Sequence, residues 1–176
     1  QKPYTDPETG GPDKERTMAK ILICYYTRTQ HTEHMAEAIA TGCGEVDGVE
    51  TDVRAVGGVE ARELLEYDAI LLGSPTYYGT MAADLKRLLD ESVAFHGQLR
   101  DKVGGAFASS ANVGGGNETT VMDILKALLI HGMVVQGAAG GDHYGPVAIG
   151  EPDERARREC VKFGRLLASL AVRLHG

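Results

Sequence analysis

The chain has 176 residues, 43% of them hydrophobic, with a net charge of −7 and a pI near 5.3. That length suits one domain with a sizeable core. The acidic balance, with no basic stripe, disfavours a reader of nucleic-acid backbone, and no stretch approaches the roughly 18 consecutive apolar residues of a membrane span.

Residues 1–17, "QKPYTDPETGGPDKERT", are rich in Pro, Gly and charge and read as a hydrophilic leader or cloning remnant. Residues 18–176 are then expected to form a single domain. "KILICYY" is a continuous apolar run, the mark of a strand buried on both faces. "HTEHMAEAIATGCG" follows with Met35, Ala36, Ile39 and Ala40 at helical spacing before a glycine stop. "GVETDVRAV" alternates as a second strand, "EARELLEY" is a helical turn or two, and "DAILLGSP" is a buried strand ended by Pro75. Next come an amphipathic segment from Met81 to Leu89, a strand "KVGGAFASS", a helix from Glu118 to Ile130, a strand "MVVQG", and a closing helix from Asp153 to Leu174. Cys24, Cys43 and Cys160 lie far apart and form no CxxC pair, so neither a zinc site nor a disulfide framework is indicated. Reduced thiols in a cytoplasmic protein are expected.

Parallel strands need long crossover connections, and each crossover here is helical. The fold class is therefore α/β, a doubly wound parallel sheet of five strands. Such sheets bind ligands at the carboxyl ends of their strands, near the point where the winding reverses. Three loops are singled out: those after Tyr26, Gly73 and Ser109.

The first loop, "TRTQHT", carries hydroxyls on Thr27, Thr29 and Thr32 just where a helix opens. Two readings stand: Thr29 or Thr32 caps its own helix, or free N–H groups and hydroxyls cradle a phosphate monoester. The loop has neither the glycines nor the Lys-Ser/Thr ending of a P-loop, so a nucleoside triphosphate is not indicated. The second loop, "GSPTYYGT", offers Tyr77 and Tyr78 beside Pro75 as a wall for a planar ring, or else is a tight turn with exposed tyrosines. The third, "SSANVGGGNETT", has three consecutive glycines that either admit a ligand against the backbone or form a flexible connector. Phosphate cradle, aromatic wall and glycine rim together describe a site for a mononucleotide with a planar ring system.

Four blocks, "ILICYYTRTQHTEHMAEAIATG", "YDAILLGSPTYYGTMAADLKRLLDES", "FASSANVGGGNETTVMDILKALLIHGMVV" and "GGDHYGP", resemble the flavodoxin-like NAD(P)H:quinone oxidoreductases of the tryptophan-repressor-binding-protein (WrbA) type. The resemblance implies a flavodoxin-like strand order, 2-1-3-4-5, with FMN as cofactor, NADH or NADPH as co-substrate and a quinone-type acceptor. It implies that Thr27, Arg28, Thr29, Gln30, His31 and Thr32 hold the FMN phosphate and begin the ribityl contacts. Pro75, Thr76, Tyr77 and Tyr78 would line the ring. Ser110, Ala111, Asn112, Val113, Gly114, Gly115 and Gly116 would face its pyrimidine end. His131, in "HGM", would reach the flavin of a neighbouring subunit in a homo-oligomer, dimer or tetramer; the reading from residues alone is a helix-terminal histidine favoured by the dipole.

Departures from the family are visible too. The excursions between the second and third strands, and between the fifth strand and "GGDHYGP", are short. The tryptophan that closes over the flavin in relatives is absent, with Phe95 or His96 in that region. A one-electron flavodoxin carrier is the alternative function. A phosphorylated receiver module would need carboxylates at the first strand end, and "YYTRT" has none.

Overall fold

The computed structural model describes residues 18–176; the leader expected for 1–17 lies outside the described residues. In chain order the elements are β1 (Ala19–Tyr25), α1 (His31–Cys43), β2 (Val49–Ala55), β3 (Ala69–Tyr77), β4 (Thr80–Met81), α2 (Ala83–Glu91), β5 (Val103–Ser110), α3 (Asn117–Ile130), β6 (Val134–Val135), β7 (Val147–Ile149) and α4 (Glu154–His175). "EARELLEY" forms a 3-10 turn over Ala61–Glu66 rather than an α-helix. The sheet order is β2-β1-β3-β5-β6, and every pairing along that path is parallel. This is the expected flavodoxin-like order.

The apolar strand runs are buried on both faces because successive side chains point to opposite sides of the sheet. Leu22, Cys24, Ile70, Leu72, Ala106 and Ala108 pack beneath α2 and α3 through Leu85, Leu88, Ile124 and Leu128. The alternate residues Ile21, Ile23, Tyr25, Leu71 and Phe107 pack against α1 and α4 through Met35, Ile39, Phe163 and Leu167. Helices α1 and α4 cross where both lack side chains. A Cβ on Gly42 would stand 2.0 Å from the Val161 carbonyl oxygen, and one on Gly164 equally close to that of Ile39.

The fifth main strand differs from the expected "MVVQG". Only Val134 and Val135 pair, with Val103 and Gly104 at the near end of β5, while β7 pairs with Ala108, Ser109 and Ser110 at its far end. Residues 136–146 interrupt the strand, and their glycines and Pro146 explain why. The chain then returns against β5 at Gly145, φ +139°, where a Cβ would meet the Ala106 carbonyl oxygen at 2.1 Å. Asp142 fixes this return by accepting from the Val147 N–H and from Arg155. No helix among the described residues is long and apolar enough to cross a membrane.

Candidate functional site

The register of β1, β3 and β5 brings their three following loops to one edge of the sheet. Helix α1 begins there with Gln30 at its N-cap in a left-handed conformation, φ +68°, and no side chain caps it. The capping reading of Thr29 and Thr32 is thereby corrected. Thr29 instead lies 3.3 Å from His31 Nδ1, and Thr32 turns inward to Ser109, Oγ to Oγ 3.0 Å. No side chain caps the first-turn N–H groups, and they form the positive end of the helix dipole. The one acidic side chain in that turn, Glu33, is held by the Tyr25 hydroxyl at 2.7 Å. Burial and Glu33 push the Tyr25 pKa up to about 12, so the tyrosine stays a donor. Thr27 is half-buried, while Arg28 is exposed and pairs with no other described residue.

The second loop extends β3 through Pro75, Thr76 and Tyr77, then turns back antiparallel into β4. Tyr78 occupies the turn at φ +52°, a left-handed conformation uncommon outside glycine, and its ring is fully exposed. Tyr77 is partly exposed and meets the Tyr26 ring edge-on, centroids 6.3 Å apart. Ser74 Oγ accepts from the Ala82 N–H at 2.8 Å and so closes the base of the turn.

The third loop leaves Ala111, Asn112, Val113 and Gly114 exposed and leads into α3 at Gly116, φ +94°, which also lacks a side-chain cap. Ser110 Oγ donates to the Asn112 carbonyl, and so does the Gly115 N–H, at 3.0 Å each. The Thr120 hydroxyl, fully buried, lies 2.9 Å from both Thr76 Oγ1 and the Gly116 carbonyl. Thr119 Oγ1 reaches the carbonyls of Gly79 and Gly116, at 2.8 and 2.9 Å. These two threonines bind the aromatic loop to the glycine loop. A Cβ on Gly116 would stand 3.0 Å from Gly79 Cα, a tight approach, and the φ of +94° adds strain for any other residue.

The fold thus gathers Thr27 to Thr32, Pro75 to Tyr78 and Ser110 to Gly116 at one edge. His131 is not among them. It sits at the far end of α3, about 20 Å of helix away, buried, with Nε2 2.8 Å from Ser92 Oγ. Tyr26, Ser109, Thr119 and Thr120, absent from the residues expected at this edge, contact the three loops there. For the threonines, the pair following three glycines at a helix start was the available signal.

Comparison with known proteins agrees with this geometry. The family described as NADPH-dependent FMN reductase matches residues 34–143. An NAD(P)H dehydrogenase (quinone) from Rhodopseudomonas palustris (strain TIE-1) is 32% identical over 200 aligned positions, covering 90% of this chain and all of that protein. The chain belongs to the WrbA-type flavodoxin-like oxidoreductase family. A flavodoxin from Aquifex aeolicus (strain VF5) is 36% identical over 159 residues, 86% of each chain. Among solved structures, the flavodoxin, WrbA-like protein of Agrobacterium tumefaciens superposes with a TM-score of 0.75 at 26% identity, covering 90% of this chain and 99% of the other. An archaeal flavodoxin superposes at 0.72 with 27% identity, covering 86% and 98%.

The WrbA-type family is FMN-binding, and the residues here suit that cofactor. An uncapped helix start flanked by threonine hydroxyls suits a phosphate, and the exposed Tyr78 stands next to Gly79, which the glycine loop approaches closely at Gly116. Among the described residues no group of three or more His, Cys, Asp or Glu side chains is placed to hold a metal ion.

Proposed function

We propose that this chain binds FMN at the shared edge of its three loops and passes two electrons from NADH or NADPH to a quinone-type acceptor. The observation that carries the binding half is the start of α1: its N–H groups lack a side-chain cap and Glu33 is held by Tyr25. The quinone-reducing half is supported by the Rhodopseudomonas relative, which matches along its whole length. FMN, when bound, would supply the hydride and electron chemistry, so no side-chain nucleophile is needed. This chain's residues bind and orient. The α1 start and Thr27 to Thr32 would take the phosphate, Tyr77 and Tyr78 would wall the ring, and the backbone of Ser110 to Gly116 would give donors at its pyrimidine edge. A homo-oligomer, dimer or tetramer, belongs to the same reading, with the "HGM" block as its sequence support; light scattering gives the subunit count.

The second reading is an electron carrier without NAD(P)H turnover, favoured by the Aquifex flavodoxin at 36% identity. Reconstitution with FMN, a visible flavin spectrum, and NADH or NADPH oxidation in the presence of benzoquinone test both. A protein that retains no flavin overturns the whole proposal. Flavin retention without NAD(P)H oxidation leaves the carrier.

A further inference from the structure

Helices α1 and α4 both begin at the edge where the three loops meet, because each follows a strand of the same parallel sheet. Their starts are finished differently. Asp153 caps α4 by accepting from the Ala156 N–H at 2.8 Å, with Glu154 in the same turn, whereas α1 has no side-chain cap. The positive end of α4 is answered by its own acids. That of α1 is not.

The turn between β7 and α4 is tied to two of the loops that form the edge. The Gly150 N–H donates to the Ser110 carbonyl at 2.8 Å, where the glycine loop leaves β5. The next residue, Glu151, reaches across to α1. Its two carboxylate oxygens each lie 2.9 Å from Nδ1 of His34, 117 residues away in sequence. His34 stands where the first turn of α1 closes, its own N–H donating to the Gln30 carbonyl at 2.9 Å. Arg157 completes the arrangement, donating to Glu151 at 2.6 Å and to the Pro152 carbonyl at 3.0 Å. The His34 hydrogen bond, aided by the Arg157 charge, holds the Glu151 carboxyl below its ordinary range. An ionised carboxylate only accepts, so His34 Nδ1 carries the proton.

The His34–Glu151 pair is partly exposed, and such pairs contribute little to global stability. Its placement matters more. It joins the first turn of α1 to the turn that holds Ser110, while Thr32 and Ser109 join that same helix turn to the end of β5 from the buried side. Loop geometry fixed before a ligand arrives lowers the cost of binding it.

We infer that Glu151, acting through His34, positions the start of α1 against the glycine loop and thereby strengthens the hold on the phosphate half of FMN. This rests on the proposed binding of FMN at that edge. Glu151 is a positioning residue, because its negative charge taken alone opposes a phosphate. The two effects have opposite signs, which makes them separable.

Fluorescence titration of the flavin-free chain with FMN, and with riboflavin, which lacks the phosphate, tests it. Glu151→Ala and His34→Ala should each weaken FMN binding about 3–5-fold while riboflavin binding changes less than about twofold. Loss from removing the acid and from removing the base alike is the signature of positioning; a purely electrostatic role has Glu151→Ala tighten FMN binding. The double variant should lose little more than either single one, since both break the same contact. Glu151→Gln, whose amide oxygen can still accept from Nδ1, should keep most of the affinity, and the unfolding midpoints of all four should stay close to that of the unaltered chain. Unchanged FMN affinity in both single variants, shifts of opposite sign, or equal losses for FMN and riboflavin overturn the inference, the last by giving the pair a structural role only. An unaltered chain that binds no FMN overturns the cofactor reading itself, and the inference with it.

Discussion

Thr32 Oγ1 lies 3.0 Å from Ser109 Oγ, across 77 residues of sequence, with both residues buried. The pair ties the first turn of α1 to the end of β5, and so fixes the first loop against the third. Thr32→Val keeps the shape and leaves the Ser109 hydroxyl unsatisfied, which should cost about 1–3 kcal/mol. Urea unfolding measures it. Adding Ser109→Ala should recover much of the loss, because neither buried hydroxyl then remains; a double variant as unstable as the sum of both singles would show that the two do not interact.

Thr120 couples the other pair of loops, through Thr76 and the Gly116 carbonyl. Thr120→Val is expected to weaken FMN binding about tenfold, or about 1.4 kcal/mol, while Thr120→Ser retains it. Flavin fluorescence titration separates the two variants. Equal affinity in Thr120→Val and the unaltered chain would show that the hydroxyl does not position the loops.

Burial pushes the thiols of Cys24, Cys43 and Cys160 up to about 12 each. The thiolate is the reactive form, so none should react with a disulfide reagent at pH 8 in the folded protein. All three should react once denaturant unfolds it. Rapid labelling of any of them in the native state would contradict their burial.

His131 makes stability depend on pH in a defined direction. Its folded pKa is depressed, chiefly by burial and then by His96, so the unfolded chain takes up a proton that the folded one refuses. Stability should therefore fall as pH drops through the unfolded value near 6.5 and on towards the folded one, by at most about 1.4 kcal/mol per pH unit from this group. Unfolding curves between pH 7.5 and 5, roughly the range over which histidine titrates, should show the slope, and His131→Gln should flatten it. A slope unchanged in that variant would assign it to other histidines.

Much of the fold was legible because strand burial leaves a local trace. "KILICYY" and "DAILLGSP" are apolar throughout since both faces of β1 and β3 are covered, and Met35 and Ile39 repeat at helical spacing because one side of α1 meets the sheet. The broken strand was less legible. Val134 and Val135 carry strand propensity, but the pairing of Val147 to Ile149 with the far end of β5 follows from the path of residues 136–146, which local pattern does not encode.

The sequence by itself determined the α/β class, the strand order through family resemblance, and the three loops that hold the candidate site, because burial periodicity and glycine placement act over a few neighbouring residues. It did not decide the hydroxyl roles in "TRTQHT". Thr29 and Thr32 have equal claim to cap α1 when read locally, and only the packed sheet turns Thr32 towards Ser109 and leaves the helix start uncapped. Nor could it pair His131 with Ser92, 39 residues away. Such contacts depend on how α2 and α3 settle on one face of the sheet, and that is set by the whole core rather than by any segment of it.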